Sequence, residues 1–179
     1  MKTHRLALCA MLSAMCAVLG YLSLDLGNLK ITFESFPILV GAFLFGPLEG
    51  LAVGGVGTLI YQLLRYGVTV TTPLWILPYL LCGLLAGSFA RRESFIPSAS
   101  RLTLAVTACQ VLITGLNTAV LYVDSKIFDY YSFAFIFGTL PIRLALCVGQ
   151  SIVFSLALPP LLKALRRLLG LRTAGGGVL

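Results

Sequence analysis

Residues 133–162 read FAFIFGTLPIRLALCVGQSIVFSLALPPLL, and Arg143 is the one charged residue in this apolar stretch. The stretch exceeds the roughly 20 residues that a transmembrane helix needs. We therefore expect the last span at 138–163, preceded by an outer loop or a short re-entrant piece. A guanidinium in hydrocarbon costs at least about 2.5–3.5 kcal/mol. Arg143 is thus expected to face inward, toward a partner side chain or a ligand.

The composition of the whole chain is that of an integral membrane protein. Of its 179 residues, 59% are hydrophobic and 11% are charged, and the mean hydropathy is +1.00. The first apolar run lacks a small-residue cleavage site ahead of a polar chain, so we expect it to be a retained helix. The sequence predicts an all-α membrane protein, a six-transmembrane-helix bundle with spans at 5–24, 36–48, 50–66, 73–91, 102–123 and 138–163. We expect one six-helix membrane domain over 1–170 and a flexible C-terminal tail over 171–179.

The second span is too short to cross a hydrocarbon core of about 30 Å. It is expected either to begin below the membrane surface or to form a tight hairpin with the third span. The segment Gly46-Pro47-Leu48-Glu49-Gly50 favours the hairpin, because Pro47 and Gly50 are turn formers.

The basic residues that give the net charge of +7 are distributed along the chain in a pattern that indicates membrane topology. Basic residues cluster at alternate helix ends, at Lys2 and Arg5, at Arg91, Arg92 and Arg101, and at Lys163, Arg166, Arg167 and Arg172. Such clusters mark the cytoplasmic side of a membrane protein. We therefore predict that both termini are cytoplasmic, and the charge gives no reason to expect nucleic acid as a partner.

The sequence predicts neither a metal site, nor a cofactor, nor a catalytic constellation. All five cysteines lie inside apolar runs without CxxC spacing, which is typical of buried small hydrophobes. The only histidine, His4, is near the terminus, and no serine or cysteine has a base beside it. A GxxxxGK[ST] phosphate-binding loop is absent, so any ATP must be used by another protein. We predict a protein that is not an enzyme.

Small residues form two smooth helix faces. Ala7, Ala10, Ala14 and Ala17 recur at three- and four-residue spacing in the first span. Such a face allows close approach either of the protein's own helices or of a partner's helix. Glycines at 50, 54 and 57 form a second face in the third span, which we expect to pack internally.

Polar and aromatic residues from five segments are expected at the outer ends of the spans. We predict a ligand site in the bundle, built from Glu34, Phe36, Tyr61, Gln62, Arg65, Trp75, Tyr79, Asn117, Thr118, Tyr122 and Arg143. Alternatives remain open for its members. Trp75 and Tyr79 also suit an interfacial aromatic belt, and Glu34 with Arg65 suits a structural ion pair. Asn117 suits an interhelical hydrogen bond, and Arg143 a structural pairing with Glu34 or Asn117.

The chain resembles the membrane-embedded substrate-binding (S) components of energy-coupling factor (ECF) vitamin transporters. The similar pieces are the Ala10-x-x-x-Ala14 face, KITFESFPILVGAFLFGPLEGLAVG over 30–54, and LWILPYLLCGLLAG over 74–87. Two more pieces resemble the folate-type members in particular: LNTAVLY over 116–122 and LPIRLALCVGQSIVF over 140–154.

The resemblance implies a vitamin-capturing subunit in the cell membrane of a prokaryote, which hydrolyses no ATP itself. It implies docking, through the alanine face, on a transmembrane coupling protein that works with two cytoplasmic ATPases. Folate is the leading ligand, and another flat ligand such as riboflavin or a pyrimidine precursor is the alternative. A pterin would stack on Trp75, Tyr79 or Tyr61 and bond Asn117 and Gln62, with Arg143 or Arg65 holding a carboxylate. A membrane scaffold that binds no small molecule is a further alternative.

Overall fold

The computed structural model describes residues 2–26, 29–93, 95 and 97–170. Helices account for most of them: α1 (Lys2–Tyr21), α2 (Ser35–Phe45), α3 (Pro47–Tyr66), α4 (Thr72–Arg92), α5 (Ala99–Ile127), α6 (Phe133–Phe137) and α7 (Leu140–Leu168). The predicted tail at 171–179 lies outside the described residues, and the single domain over 1–170 stays a prediction.

The helical membrane class predicted from composition is confirmed. Within the described residues, four helical segments are long and apolar enough to cross a bilayer: Thr3–Tyr21, Thr72–Arg92, Ala99–Ile127 and Phe133–Leu168. The count of six spans and the cytoplasmic position of both termini stay predictions.

Two short strands follow α1, between the first two predicted spans, although the sequence predicted an all-α protein. Strands β1 (Leu24–Leu26) and β2 (Leu29–Ile31) pair antiparallel, with Leu24 opposite Ile31. Strands this short leave no periodic signal in the sequence, because three residues contain a single apolar/polar alternation.

α2 is a short, buried helix that turns directly into α3. Its 11 residues rise about 16 Å, which is half of a bilayer core. Gly46 alone separates the two helices, and its φ of 119° is open to glycine but strained for other residues. Every residue of α2 except Phe36 is buried. The predicted hairpin at 46–50 is therefore present, and α2 forms part of the core.

The glycine face of α3 packs inside the bundle, as expected, and it lets α3 approach α1 and α4 closely. A Cβ on Gly50 would lie 2.7 Å from the carbonyl oxygen of Gly83 in α4. A Cβ on Gly57 would lie 2.6 Å from Cβ of Cys16 in α1. Helices in a membrane associate through such small-residue contacts because lipid supplies no hydrophobic drive.

The apolar stretch at 133–162 is broken at Gly138 and Thr139, between α6 and α7. Pro141 lies in the first turn of α7, where its missing N–H leaves no helical bond unmade. At the other end of α7, the buried side chain of Arg166 donates a hydrogen bond of 3.1 Å to the carbonyl oxygen of Phe43. This bond satisfies a carbonyl in the last turn of α2 and ties α7 to the α2–α3 hairpin.

Candidate functional site

A cavity of about 430 Å³ opens at the end of the bundle where α3 and α5 finish and α4 and α7 begin. Its volume lies in the range of about 300–1,000 Å³ that is typical of small-molecule sites. The wall combines polar, aromatic and apolar side chains: Thr32, Glu34, Ser35, Tyr61, Gln62, Tyr66, Thr69, Thr71, Trp75, Tyr79, Gln110, Ile113, Thr114, Asn117, Leu121, Asp124, Phe128, Tyr130, Phe135, Arg143, Leu146, Cys147 and Gln150.

The two long helices α5 and α7 each present one stripe to the cavity. In α5 the lining residues are 110, 113, 114, 117, 121 and 124, and in α7 they are 143, 146, 147 and 150. Spacings of three and four place residues on one face of a helix. The sides of the cavity that α5 and α7 contribute are therefore each formed by one face of a regular helix.

Glu34 is a buried carboxylate in the cavity wall, with 1% of its surface exposed. It lies just before α2, and its backbone N–H donates to Thr32 Oγ1 over 3.1 Å. A Cβ on Gly20 of α1 would lie 2.6 Å from Glu34 Oε2 and 2.9 Å from the ring of Tyr61. Gly20 thus makes the room that the carboxylate and the tyrosine ring occupy.

Asn117 lines the cavity and carries a buried, unsatisfied acceptor. Its Nδ2 donates to the hydroxyl of Tyr79 over 3.4 Å, which joins α5 to α4. Its Oδ1 is buried and has no hydrogen-bond partner within the described residues. Because an unsatisfied buried acceptor costs about 1–3 kcal/mol, an N–H or O–H donor from a ligand would be favourable here.

Two glutamines in the cavity wall bond the first residue of α2 and the segment just before it. Gln110 Nε2 donates to Ser35 Oγ over 3.2 Å, and Gln150 Nε2 donates to the carbonyl oxygen of Thr32 over 2.8 Å. These bonds link α5 and α7 to the same short segment. They satisfy polar groups that would otherwise be unbonded at membrane depth.

Arg143 is partly buried in the cavity wall, one turn into α7. Its Nε donates to Thr139 Oγ1 over 3.2 Å. Thr139 immediately precedes α7, so this bond orients the guanidinium from the helix start. Arginine also carries further N–H donors in a planar fork that matches a carboxylate.

Asp124 lies at the mouth of the cavity and holds two aromatic side chains. Its Oδ1 accepts a hydrogen bond of 3.4 Å from Trp75 Nε1, and its Oδ2 accepts one from the hydroxyl of Tyr130. Burial and this bond to the carboxylate raise the pKa of Tyr130 above its usual value. The phenol therefore stays protonated, and remains a donor, throughout the physiological pH range.

Seven of the predicted site residues line the cavity: Glu34, Tyr61, Gln62, Trp75, Tyr79, Asn117 and Arg143. The other four lie outside its lining.

Each of these four has contacts elsewhere. Phe36 packs on Phe154, with ring centroids 5.2 Å apart. Arg65 donates to the carbonyl oxygen of Tyr21 over 2.8 Å and to Ser23 Oγ over 3.3 Å. Thr118 Oγ1 donates to the carbonyl oxygen of Thr114 within α5. Tyr122 meets Tyr131 edge to face at 5.6 Å.

The four residues of the predicted alanine face of α1 differ in burial. Ala7, Ala10 and Ala14 are exposed, whereas Ala17 is 6% exposed and packs inside the bundle. Three of the four alanines are thus open to a partner or to lipid. Within the described residues, no cluster of three or more His, Cys, Asp or Glu side chains is placed to hold a metal ion.

Comparison with known proteins assigns the chain to a family. The family model described as "ECF transporter, substrate-specific component" matches residues 4–164. A solved S component of a bacterial ECF transporter is 23% identical, with a TM-score of 0.67 over 93% of this chain and 100% of that one. The S component for biotin from an ECF-type ABC transporter is 15% identical, with a TM-score of 0.68 over 93% of this chain and 92% of that one. No curated protein sequence matches the chain.

The two solved structures support the fold, and the family match covers most of the sequence. The expected absence of catalytic function agrees with the family, since S components are transporter subunits and not enzymes. The chain therefore belongs to the ECF transporter substrate-specific component family, whose members are membrane proteins.

Proposed function

We propose that this chain is a high-affinity vitamin-binding S component that takes up folate across the cell membrane of a prokaryote. ATP is hydrolysed by two cytoplasmic subunits that act through a transmembrane coupling protein. The proposal rests on the family, on the folate-type segments at 116–122 and 140–154, and on the chemistry of the cavity wall.

The observation that carries the ligand class is the unsatisfied Oδ1 of Asn117 beside aromatic rings in the cavity. A pterin has an amino group next to a ring N–H, so its edge is rich in donors. Asn117 Oδ1 and the carboxylate of Glu34 are acceptors for such an edge. Trp75 and Tyr79 provide aromatic surface for a flat ring. A site built to bond N–H groups rejects flat molecules that lack them.

Arg143 supplies the positive charge in the cavity wall for a ligand carboxylate. Glu34 and Asp124 also line the cavity, so its ionisable side chains do not favour a ligand with many negative charges. We therefore propose that Arg143 binds one carboxylate of folate and that the second carboxylate stays in solvent beyond the mouth, away from Asp124. Riboflavin has no carboxylate for this arginine.

Native mass spectrometry of the purified protein tests the assignment, because tightly held ligand survives purification. We expect a bound species with the mass of a folate. Asn117→Leu should lose it, and Thr118→Val, a neighbour outside the cavity lining, should retain it. A bound species with the mass of riboflavin or of a pyrimidine would show that this molecule, and not folate, is the ligand.

A further inference from the structure

A groove of about 520 Å³ lies at the end of α4 that is remote from the cavity. The groove is lined by Pro47, Leu85, Ser88, Phe89, Arg91 and Arg92. Leu85 is 43% exposed and Phe89 is partly buried, so their side chains form an apolar wall that is open to the surroundings. The two arginines lie at its end, in the last turn of α4.

The groove is arranged along the helix axis. Leu85, Ser88, Phe89 and Arg92 follow a spacing of three and four, which places them in one stripe on α4. The stripe rises about 10 Å from Leu85 to Arg92. Since α4 is apolar and long enough to span the bilayer, its last turn lies where hydrocarbon gives way to headgroups. The apolar part of the stripe is therefore at acyl-chain depth and the arginines are at headgroup depth.

In the part of the chain that the structure describes, the side chains of Arg91 and Arg92 are not needed to stabilise the fold. The carbonyls of Phe89 and Ala90 accept the backbone N–H groups of Glu93 and Phe95, so capping of α4 does not need the guanidinium groups. The nearby carboxylate of Glu93 binds Arg101, with Nη1 at 2.6 and 2.7 Å from its two oxygens.

Among residues 2–26, 29–93, 95 and 97–170, the side chains of Arg91 and Arg92 make neither an ion pair nor a hydrogen bond. Two adjacent positive charges at headgroup depth are thus available to a ligand from outside the protein.

We propose that this groove binds one anionic phospholipid. Its phosphate lies on Arg91 and Arg92, and the upper part of one acyl chain lies against Leu85 and Phe89. Guanidinium groups bond phosphate oxygens in charge-assisted pairs, and basic pockets at the ends of membrane helices bind anionic headgroups. A phosphatidylcholine headgroup also has a phosphate, but its quaternary ammonium is repelled by the second arginine.

Native mass spectrometry of the full-length protein with phosphatidylglycerol or phosphatidylcholine added in detergent tests the proposal. We expect preferential retention of phosphatidylglycerol. Arg91→Gln/Arg92→Gln should reduce this preference about thirtyfold, which corresponds to about 1 kcal/mol for each arginine near the surface.

Two further variants separate the groove from a general charge effect. Lys163→Gln/Arg167→Gln removes two exposed charges from α7 and should leave the preference unchanged. Ser88→Phe keeps both arginines but fills the groove, and should reduce phosphatidylglycerol retention at least tenfold. Equal retention of the two lipids by the unmodified protein would overturn the proposal. Equal losses in the α4 and α7 double variants, or unchanged retention in Ser88→Phe, would also overturn it.

Discussion

Trp75 donates its indole N–H to the carboxylate of Asp124 across 3.4 Å, and thereby joins α4 to α5 at the mouth of the cavity. Tyr130, in the connection after α5, bonds the other oxygen of the same carboxylate. One acidic side chain thus positions two aromatic residues that line the entrance. Trp75 lines the cavity, and its fluorescence can be followed directly because the chain has no other tryptophan.

Replacing Asp124 by Asn should weaken the two hydrogen bonds that hold Trp75 and Tyr130 at the mouth of the cavity. The substitution removes the charge that strengthens both hydrogen bonds, which is a loss of about 1–2 kcal/mol. We expect the ligand to dissociate about tenfold faster, as measured by stopped-flow fluorescence. We also expect the Trp75 emission of the ligand-free protein to shift, as measured by steady-state fluorescence. Asp129→Asn, which removes a neighbouring charge outside the cavity lining, should change neither. Identical dissociation rates for Asp124→Asn and the unmodified protein would contradict this role.

Replacing Arg143 by Ala should weaken folate binding at least tenfold while the protein remains folded. A hydrogen bond to a charged group contributes about 1.5–3 kcal/mol, and no other arginine lines the cavity among the described residues. Binding calorimetry and thermal unfolding in the same detergent measure the two effects separately.

The matched control is Arg65→Ala. Arg65 bonds the carbonyl oxygen of Tyr21 at the end of α1 and lies outside the cavity lining. We expect this variant to lower thermal stability and to retain most of the affinity. A larger loss of affinity in Arg65→Ala than in Arg143→Ala would show that the arginine has been assigned wrongly.

Replacing Gly83 by Leu should destabilise the bundle. A side chain there would collide with the backbone of Gly50 and force α3 away from α4. Overpacking of this kind costs about 1–3 kcal/mol, and thermal unfolding in detergent measures it. Gly115→Ala in α5 is the control, because a Cβ there meets nothing within 4 Å. It should leave stability unchanged or raise it slightly, since alanine favours a helix more than glycine does.

Replacing Ala10 or Ala14 by Trp should separate ligand binding from assembly. Both residues are exposed on α1, so the isolated protein should fold and bind ligand normally. Copurification with the coupling protein and the ATPases should be lost, because a bulky side chain prevents close helix approach. Ala17→Trp should instead destabilise the protein itself, as Ala17 is buried. Normal assembly of both exposed-face variants would exclude this face as the docking surface.

Much of the candidate site could be predicted from polar or charged residues that lie in otherwise apolar segments. Arg143 in an apolar stretch and Asn117 in an apolar helix both line the cavity. Gln110 and Gln150 give the same signal, an amide in an apolar helix, although they are not among the predicted site residues. Helical spacing from Asn117 also points to 110, 113, 121 and 124, so the α5 stripe was accessible to sequence reasoning.

The remaining differences arise from rotation about helix axes and from loop structure. Thr118 follows Asn117 and Tyr122 follows Leu121, and one residue turns a helix by about 100°. These side chains therefore leave the cavity lining while their neighbours stay in it. Tyr130 reaches the mouth through an irregular connection that has no periodic pattern. Ala17 is buried because the predicted small-residue face is wider than the surface that α1 exposes.

Calorimetric titration of folate into the purified, ligand-free protein, with riboflavin titrated in parallel, tests whether the chain binds folate. We expect one folate bound per chain with submicromolar affinity and no comparable heat from riboflavin. Addition of folate should also quench Trp75, which lines the cavity. Absence of folate binding to a protein that is folded in the same detergent, or tighter binding of riboflavin, would show that folate is not the ligand.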